Sequence, residues 1–257
     1  MTPVARMVVI VTVTLVVAKL LTLAAARAEG TILGRRATAE FFTWMGMRPA
    51  LFAKQGPADG RGAAMLARSG TRSFALGLAL FAVARVLAKS ALPAKEVVVS
   101  ILAMIAMSLI LHFGLFDLLA ARQRSRGVNA GKLFRAPLAA KSLSEFWSRR
   151  WNIGFSEMIA VLVHRPLRKC VSEPVALATS FLVSGLLHEL AISVPVRAGY
   201  GWPTTYFLLH GALVTIERSM ARPPGHAWTL FWLAAPLPLL FHPAFIRGVV
   251  WPLAGLH

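Results

Sequence analysis

The sequence predicts an all-α integral membrane protein, a polytopic bundle of about six transmembrane helices with additional re-entrant or interfacial helices. Composition comes first: of 257 residues 57% are hydrophobic and 15% charged, with a mean hydropathy of +0.65, outside the range of soluble domains. Next, apolar stretches recur that are long enough, at ~1.5 Å per residue, to cross a ~30 Å hydrocarbon layer. Basic residues also collect between them: 28 Lys+Arg against 10 Asp+Glu give a net charge of +18. In a soluble chain that surplus would suggest nucleic acid, but in a polytopic one it marks cytoplasmic loops lying against anionic headgroups. Membrane lipids are therefore expected partners and nucleic acid is not. The single cysteine, Cys170, leaves no intramolecular disulfide, redox pair or cysteine-rich metal site.

The elements follow in order. Residues 7–26 are apolar except for Lys19 and a few threonines, and a lysine within the run together with the spans downstream favours a retained helix over a signal peptide. Residues 41–52 form a short apolar island carrying Trp44 and Arg48, the composition of a segment lying at the headgroups. Residues 56–70, rich in glycine, read as loop. Residues 73–92 and 96–121 are the second and third spans, joined by a short turn at Pro93. The segment 122–150 carries eight basic residues against Glu145 alone and is cytoplasmic by the positive-inside rule. Residues 152–164 are apolar but too short to cross, and both flanks are basic, so a re-entrant or interfacial course is expected. Further spans are expected over 174–194, 203–217 and 227–241, the last bounded by prolines. That places the amino terminus outside. No internal repeat of the transporter kind is visible. The whole chain, 1–257, reads as a single membrane-embedded domain, and a bacterial inner membrane is its expected address.

The span 174–194 holds two ionisable residues side by side, His188 and Glu189, where such groups are costly and commonly functional. His188 falls about fourteen residues, or ~21 Å of helix, beyond Pro174, inside the hydrocarbon layer. An imidazole there can take and return a proton, or it can simply be a core histidine bonded to a neighbouring helix. Glu189 points about 100° away on the same helix, and holding the bundle together is at least as good an account of it. Ser184 shares the face of His188, and Gly185 admits a close neighbour. His210 and Glu217 on the next span could line the same space, although core packing also accounts for His210.

Several chemistries drop out. His188-Glu189-Leu190-Ala191-Ile192 starts like a zinc-protease motif but has isoleucine where the second histidine must stand, so no metal is expected. There is no nucleophile elbow, phosphate loop or dinucleotide turn. A second constellation, Phe146-Trp147-Ser148-Arg149-Arg150-Trp151-Asn152, has the tryptophans and arginines of any membrane interface. Asn152 is less ordinary, since it can donate and accept at the mouth of a polar cavity.

These residues, followed by His164-Arg165-Pro166 and Phe181-Leu182-Val183-Ser184-Gly185-Leu186-Leu187-His188-Glu189, resemble the signature of the wax synthase branch of the membrane-bound O-acyltransferases (MBOAT). Phe207-Leu208-Leu209-His210-Gly211 and Trp44-Met45-Gly46-Met47-Arg48-Pro49 resemble further elements of that family. Ser148 and His164 depart from it, standing where glycine and tyrosine are usual, and the chain is short for the superfamily. The resemblance implies transfer of a fatty acyl group from acyl-CoA to a hydroxyl, as on a long-chain alcohol or another lipid alcohol. His188 would be the general base and Asn152 would assist it. Trp147, Arg149, Arg150, Trp151, Ser184, Glu189 and His210 complete the expected substrate site, with the two arginines suited to the phosphates of CoA. Acyl-CoA is then a co-substrate, the partner is a hydroxyl-bearing lipid, and no cofactor is expected. The competing classes are a transporter relaying protons through His188 and Glu189, and a structural subunit whose polar residues only hold helices together.

Overall fold

The computed structural model describes residues 1–256, and every regular element among them is helical. The long helices are α1 (Pro3–Ala28), α2 (Gly60–Ala88) and α3 (Lys95–Arg124), followed after a polar stretch by the short α4 (Ile153–Ile159). Then come α5 (Glu173–Val196), α6 (Trp202–Ser219) and α7 (His226–Ala234). Four of these, α1, α2, α3 and α5, are long and apolar enough to cross a membrane. A fifth crossing is available if His226–Leu240 and Pro243–Ala254 count as one broken span. The expected six therefore falls to four or five. Helix α6 has 18 residues, but His210, Glu217 and Arg218 leave it less apolar than the other four.

The chain divides into two compact units. One comprises Met1–Glu29, Gly46–Arg48 and Phe134–Phe245. Within it α1 starts on Thr2, whose hydroxyl accepts from the Ala5 amide at 3.3 Å, with Pro3 supplying the helical φ. The lysine inside this span is buried and accounted for: Lys19 Nζ donates to the Gly46 carbonyl at 3.0 Å. Helices α5 and α6 pack antiparallel through Gly185, where an added Cβ would stand 2.8 Å from Thr204 Cα. Helix α4 continues through a π-helical turn, Ala160–His164, and is as short as its apolar run.

The second unit comprises Gly30–Met45, Pro49–Leu133 and Ile246–His257. Its seam is α2 against α3, and small residues let the backbones close. A Cβ on Gly70 would lie 2.9 Å from the Gly114 carbonyl, and one on Gly77 2.9 Å from that of Ala106. Helix α2 begins earlier than glycine content suggests, because Asp59 caps it by accepting from the Gly62 amide at 2.8 Å. Residues 60–70 are therefore helix, not loop. The aromatic residues of the island at 41–52, expected at the headgroups, pack into the protein. Phe41, Trp44 and Phe52 are almost wholly buried, and Phe41 meets Phe52 edge to face at 5.7 Å. Part of the basic segment is spent internally: Arg122 and Arg126 pair with Glu40, Arg124 with Asp59, and Lys132 with the buried Asp117 at 2.8 Å.

Candidate active site

A cavity of about 230 Å³ lies wholly within the first unit, walled by α4 and the tryptophan-rich turn before it, by α5 and by α6. Along α5 its lining residues are Leu177, Ser180, Phe181, Ser184 and His188, spaced by three and four so that they form one stripe. Phe207, Val214 and Arg218 form the matching stripe on α6, at steps of seven and four. Eleven residues of helix make each stripe ~16 Å long. His188 and Phe207 lie at one end and Arg218, with His164, at the other.

His188 is fixed in one tautomer. Its Nδ1 lies 2.7 Å from the Ser184 carbonyl oxygen, which can only accept, so Nδ1 carries the proton and Nε2 keeps a lone pair. Two aromatic rings hold the imidazole in place, Phe207 at 4.2 Å and Phe155 at 5.6 Å between centroids. The neighbouring hydroxyls are turned the same way. Ser180 donates to the Ala176 carbonyl at 2.7 Å and Ser184 to that of Ser180 at 2.8 Å, leaving oxygen lone pairs on the cavity wall. The α5 side of the cavity thus presents acceptors.

Asn152 lines the same cavity. It occupies the left-handed region at φ 41°, which asparagine tolerates better than most residues, and its Oδ1 accepts from the Phe155 amide at 3.3 Å to cap α4. The acceptor of this amide is committed to the helix, and its NH₂ is the part available to a ligand. Trp147 and Trp151 also line the cavity. The indole of Trp147 donates to His210 Nδ1 at 3.0 Å, and Ser156 donates to its carbonyl at 2.6 Å. His210 itself is fully buried and outside the lining, so it holds Trp147 from behind.

The other expected residues are placed elsewhere. Glu189 turns away from the cavity: its Oε1 accepts from the Gly201 amide at 2.9 Å, the Thr204 amide at 3.1 Å and the Thr204 hydroxyl at 3.0 Å. It caps the start of α6, where a carboxylate is favoured. Glu217 does the same for the turn at 143–145, accepting from the Leu143 and Ser144 amides at 2.8 Å each and from the Trp228 indole at 3.0 Å. Arg150 is occupied by Glu145 at 2.7 Å and by the carbonyls of Arg135 and Ala136. The Lys141 amide, and then Arg150, hold the Glu145 carboxyl below the usual range. Arg149 is exposed and outside the cavity. The cation that does line the cavity is Arg218, which the sequence places merely at the start of a loop. Its spacing from Phe207, three helical turns, is the signal that could have put it on the cavity face.

Residues 130–209 match the family described as membrane bound O-acyl transferase. Over that stretch the chain resembles the membrane-bound O-acyltransferase family. The MBOAT segment contains Trp147, Asn152, Ser184 and His188, and ends just short of His210 and Arg218. A similar protein is the probable long-chain-alcohol O-fatty-acyltransferase 2 of Arabidopsis thaliana, 33% identical over 143 residues, 48% of this chain and 41% of that one. The long-chain-alcohol O-fatty-acyltransferase of Simmondsia chinensis is 34% identical over 100 residues, covering 35% and 28%. Acyl-CoA–sterol O-acyltransferase 1 of Arabidopsis thaliana is 29% identical over 132 residues, covering 44% and 38%. The chain matches less than half the length of each of these relatives. Their names are those of long-chain-alcohol and sterol acyltransferases, and the four long apolar helices of this chain are those of an integral membrane protein. Being plant proteins, they lend nothing to the expectation of a bacterial inner membrane.

Proposed function

We propose that this protein transfers a fatty acyl group from acyl-CoA to the hydroxyl of a lipid alcohol, with His188 as general base. The observation that carries the proposal is the unprotonated Nε2 of His188 on the wall of a cavity that Asn152 also lines. The acceptor hydroxyl gives its proton to Nε2 as its oxygen attacks the thioester carbonyl carbon. As the tetrahedral intermediate collapses, the carbon–sulfur bond breaks and the imidazolium returns the proton to the departing thiolate. The products are an ester and free CoA, with no acyl-enzyme. The NH₂ of Asn152 would donate to the oxygen that gains charge. The proton-accepting hydroxyls Ser180 and Ser184 suit an incoming O–H group and would repel an anion. Phe155, Ile159 and Phe181 offer the acyl chain an apolar bed from which water is excluded.

The names of the relatives favour a long-chain alcohol first and a sterol second as acceptor. A proton relay through the adjacent pair is less well supported, because Glu189 lies outside the cavity that His188 lines, with its Oε1 committed to capping α6. Purified protein given labelled acyl-CoA and a panel of alcohols should yield ester, and absence of ester with every alcohol, alongside proton flux in proteoliposomes, would overturn the assignment.

A further inference from the structure

At the end of the cavity opposite His188, three side chains converge on one carboxylate. Glu173 Oε1 accepts from Arg218 Nη1 at 2.5 Å and lies 3.3 Å from His164 Nε2, while Oε2 meets Arg168 Nε at 2.7 Å. Arg218 and His164 belong to the cavity lining. The three come from two elements, His164 and Arg168 from the run after α4 and Arg218 from the last turn of α6, and Glu173 is the first residue of α5. Two guanidinium groups against one carboxylate leave an excess of positive charge even with His164 neutral. Glu173 is also replaceable, since its side chain is 38% exposed. At the first turn of α5 its charge is favoured whether or not an arginine touches it. The arginine donors at this end contrast with the acceptors that α5 presents around His188. A molecule filling the cavity would therefore meet acceptors at one end and cations ~16 Å away at the other.

We propose that Arg218, Arg168 and His164 form a phosphate-binding site at the mouth of the cavity, and that Glu173 occupies it until a phosphate-bearing ligand displaces it. The site rests on the acyl-transfer proposal for its meaning, because a thioester at His188 would extend its CoA phosphates towards this end. It also relocates the cation that meets them from Arg149 and Arg150 to Arg218. Guanidinium forks match phosphate oxygens as well as carboxylate ones, so the exchange conserves hydrogen bonds. A neutral donor lacking phosphates would leave Glu173 in place and gain nothing from the mouth.

The test measures binding of CoA and of inorganic pyrophosphate to the full chain in neutral-lipid nanodiscs, together with ester formation from acyl-CoA and from a phosphate-free acyl-N-acetylcysteamine. R218Q should weaken CoA and pyrophosphate binding about tenfold, the loss of one charge-assisted contact, and raise KM for acyl-CoA without changing KM for the phosphate-free donor. R218K should restore part of the binding, which separates charge from misfolding. E173Q should bind CoA several-fold more tightly than the wild type. Equal effects of R218Q on both donors, or weakening by E173Q, would overturn the site. Nanodiscs containing anionic lipid separate the two sources of phosphate: undiminished CoA binding assigns the site to the soluble ligand. Competition that vanishes in R218Q assigns it to a headgroup, keeping the anion site but overturning its role toward CoA. CoA binding without ester from any donor would sink acyl transfer and leave the anion site standing.

Discussion

The two faces of α5 carry adjacent ionisable residues with opposite fates. On the face of His188 the hydrogen-bond groups are arranged to leave something over: Nδ1 is bound to the Ser184 carbonyl, Nε2 is not, and the stripe opens on a cavity. On the face of Glu189 the bonding is intramolecular: Oε1 takes three donors from the start of α6, and Gly185 brings that helix close. Glu217 on α6 repeats this capping for the turn at 143–145, while His210 accepts from the Trp147 indole. A polar group at membrane depth is thus not functional merely for being there. What separates the two faces is an imidazole nitrogen left over on a cavity wall, against a carboxylate outside the cavity whose Oε1 joins α5 to α6 and whose Oε2 is buried without a partner.

The largest break in that comparison should come from His188. His188→Gln preserves size and polarity but removes the base, and transfer should fall by roughly 10²–10⁴-fold, with thermal stability close to the wild type. Next is Asn152, where two substitutions part cap from chemistry. Asn152→Asp keeps an oxygen for the Phe155 amide and loses the donor, so kcat should drop about 10²-fold or more while stability holds. Asn152→Gly keeps the left-handed backbone and loses both cap and donor, and should cost only ~0.3 kcal/mol of stability as well. Glu189 should behave in the opposite sense. Glu189→Ala leaves the amides of Gly201 and Thr204 without their acceptor and should destabilise the fold by about 3 kcal/mol, whereas Glu189→Gln, which keeps an acceptor oxygen, should lose much less. Thermal inactivation and activity per folded molecule separate these outcomes. Loss of transfer in a fully folded Glu189→Gln would erase the distinction between the faces.

The smallest effect concerns pH. The folded protein holds the Glu145 carboxyl below its ordinary value of 4.5, so its stabilising contribution is present above that pH and fades as pH falls through the lower folded value. Glu145→Gln should therefore leave stability at neutral pH slightly lowered and flatten the decline on the acid side, read from melting temperatures across that range. The effect is small because the pair with Arg150 is near solvent.

Much of this was legible in the residues themselves. Apolar length located α1, α3 and α5, and the spacing of Ser184 and His188 put them on one face before any neighbour was known. The caps were not legible, because a carboxylate inside an apolar run looks the same whether it faces a ligand or the amides of a helix that only the tertiary fold brings near. The packing of 41–52 was not legible for a related reason: Trp44 and its neighbouring phenylalanines suit a headgroup layer and a protein interior equally. Arg149 and Arg150 drew attention by proximity to the motif, while Arg218, far along the chain, reaches the cavity because α6 returns antiparallel to α5.

The central claim, that His188 supplies the base, is tested most directly by the rate of labelled ester formation from acyl-CoA and a long-chain alcohol, compared between wild type and His188→Gln at equal folded amounts. A fall of at least ~100-fold is predicted. A rate within about twofold of the wild type would contradict it, since a general base cannot be removed without raising the barrier.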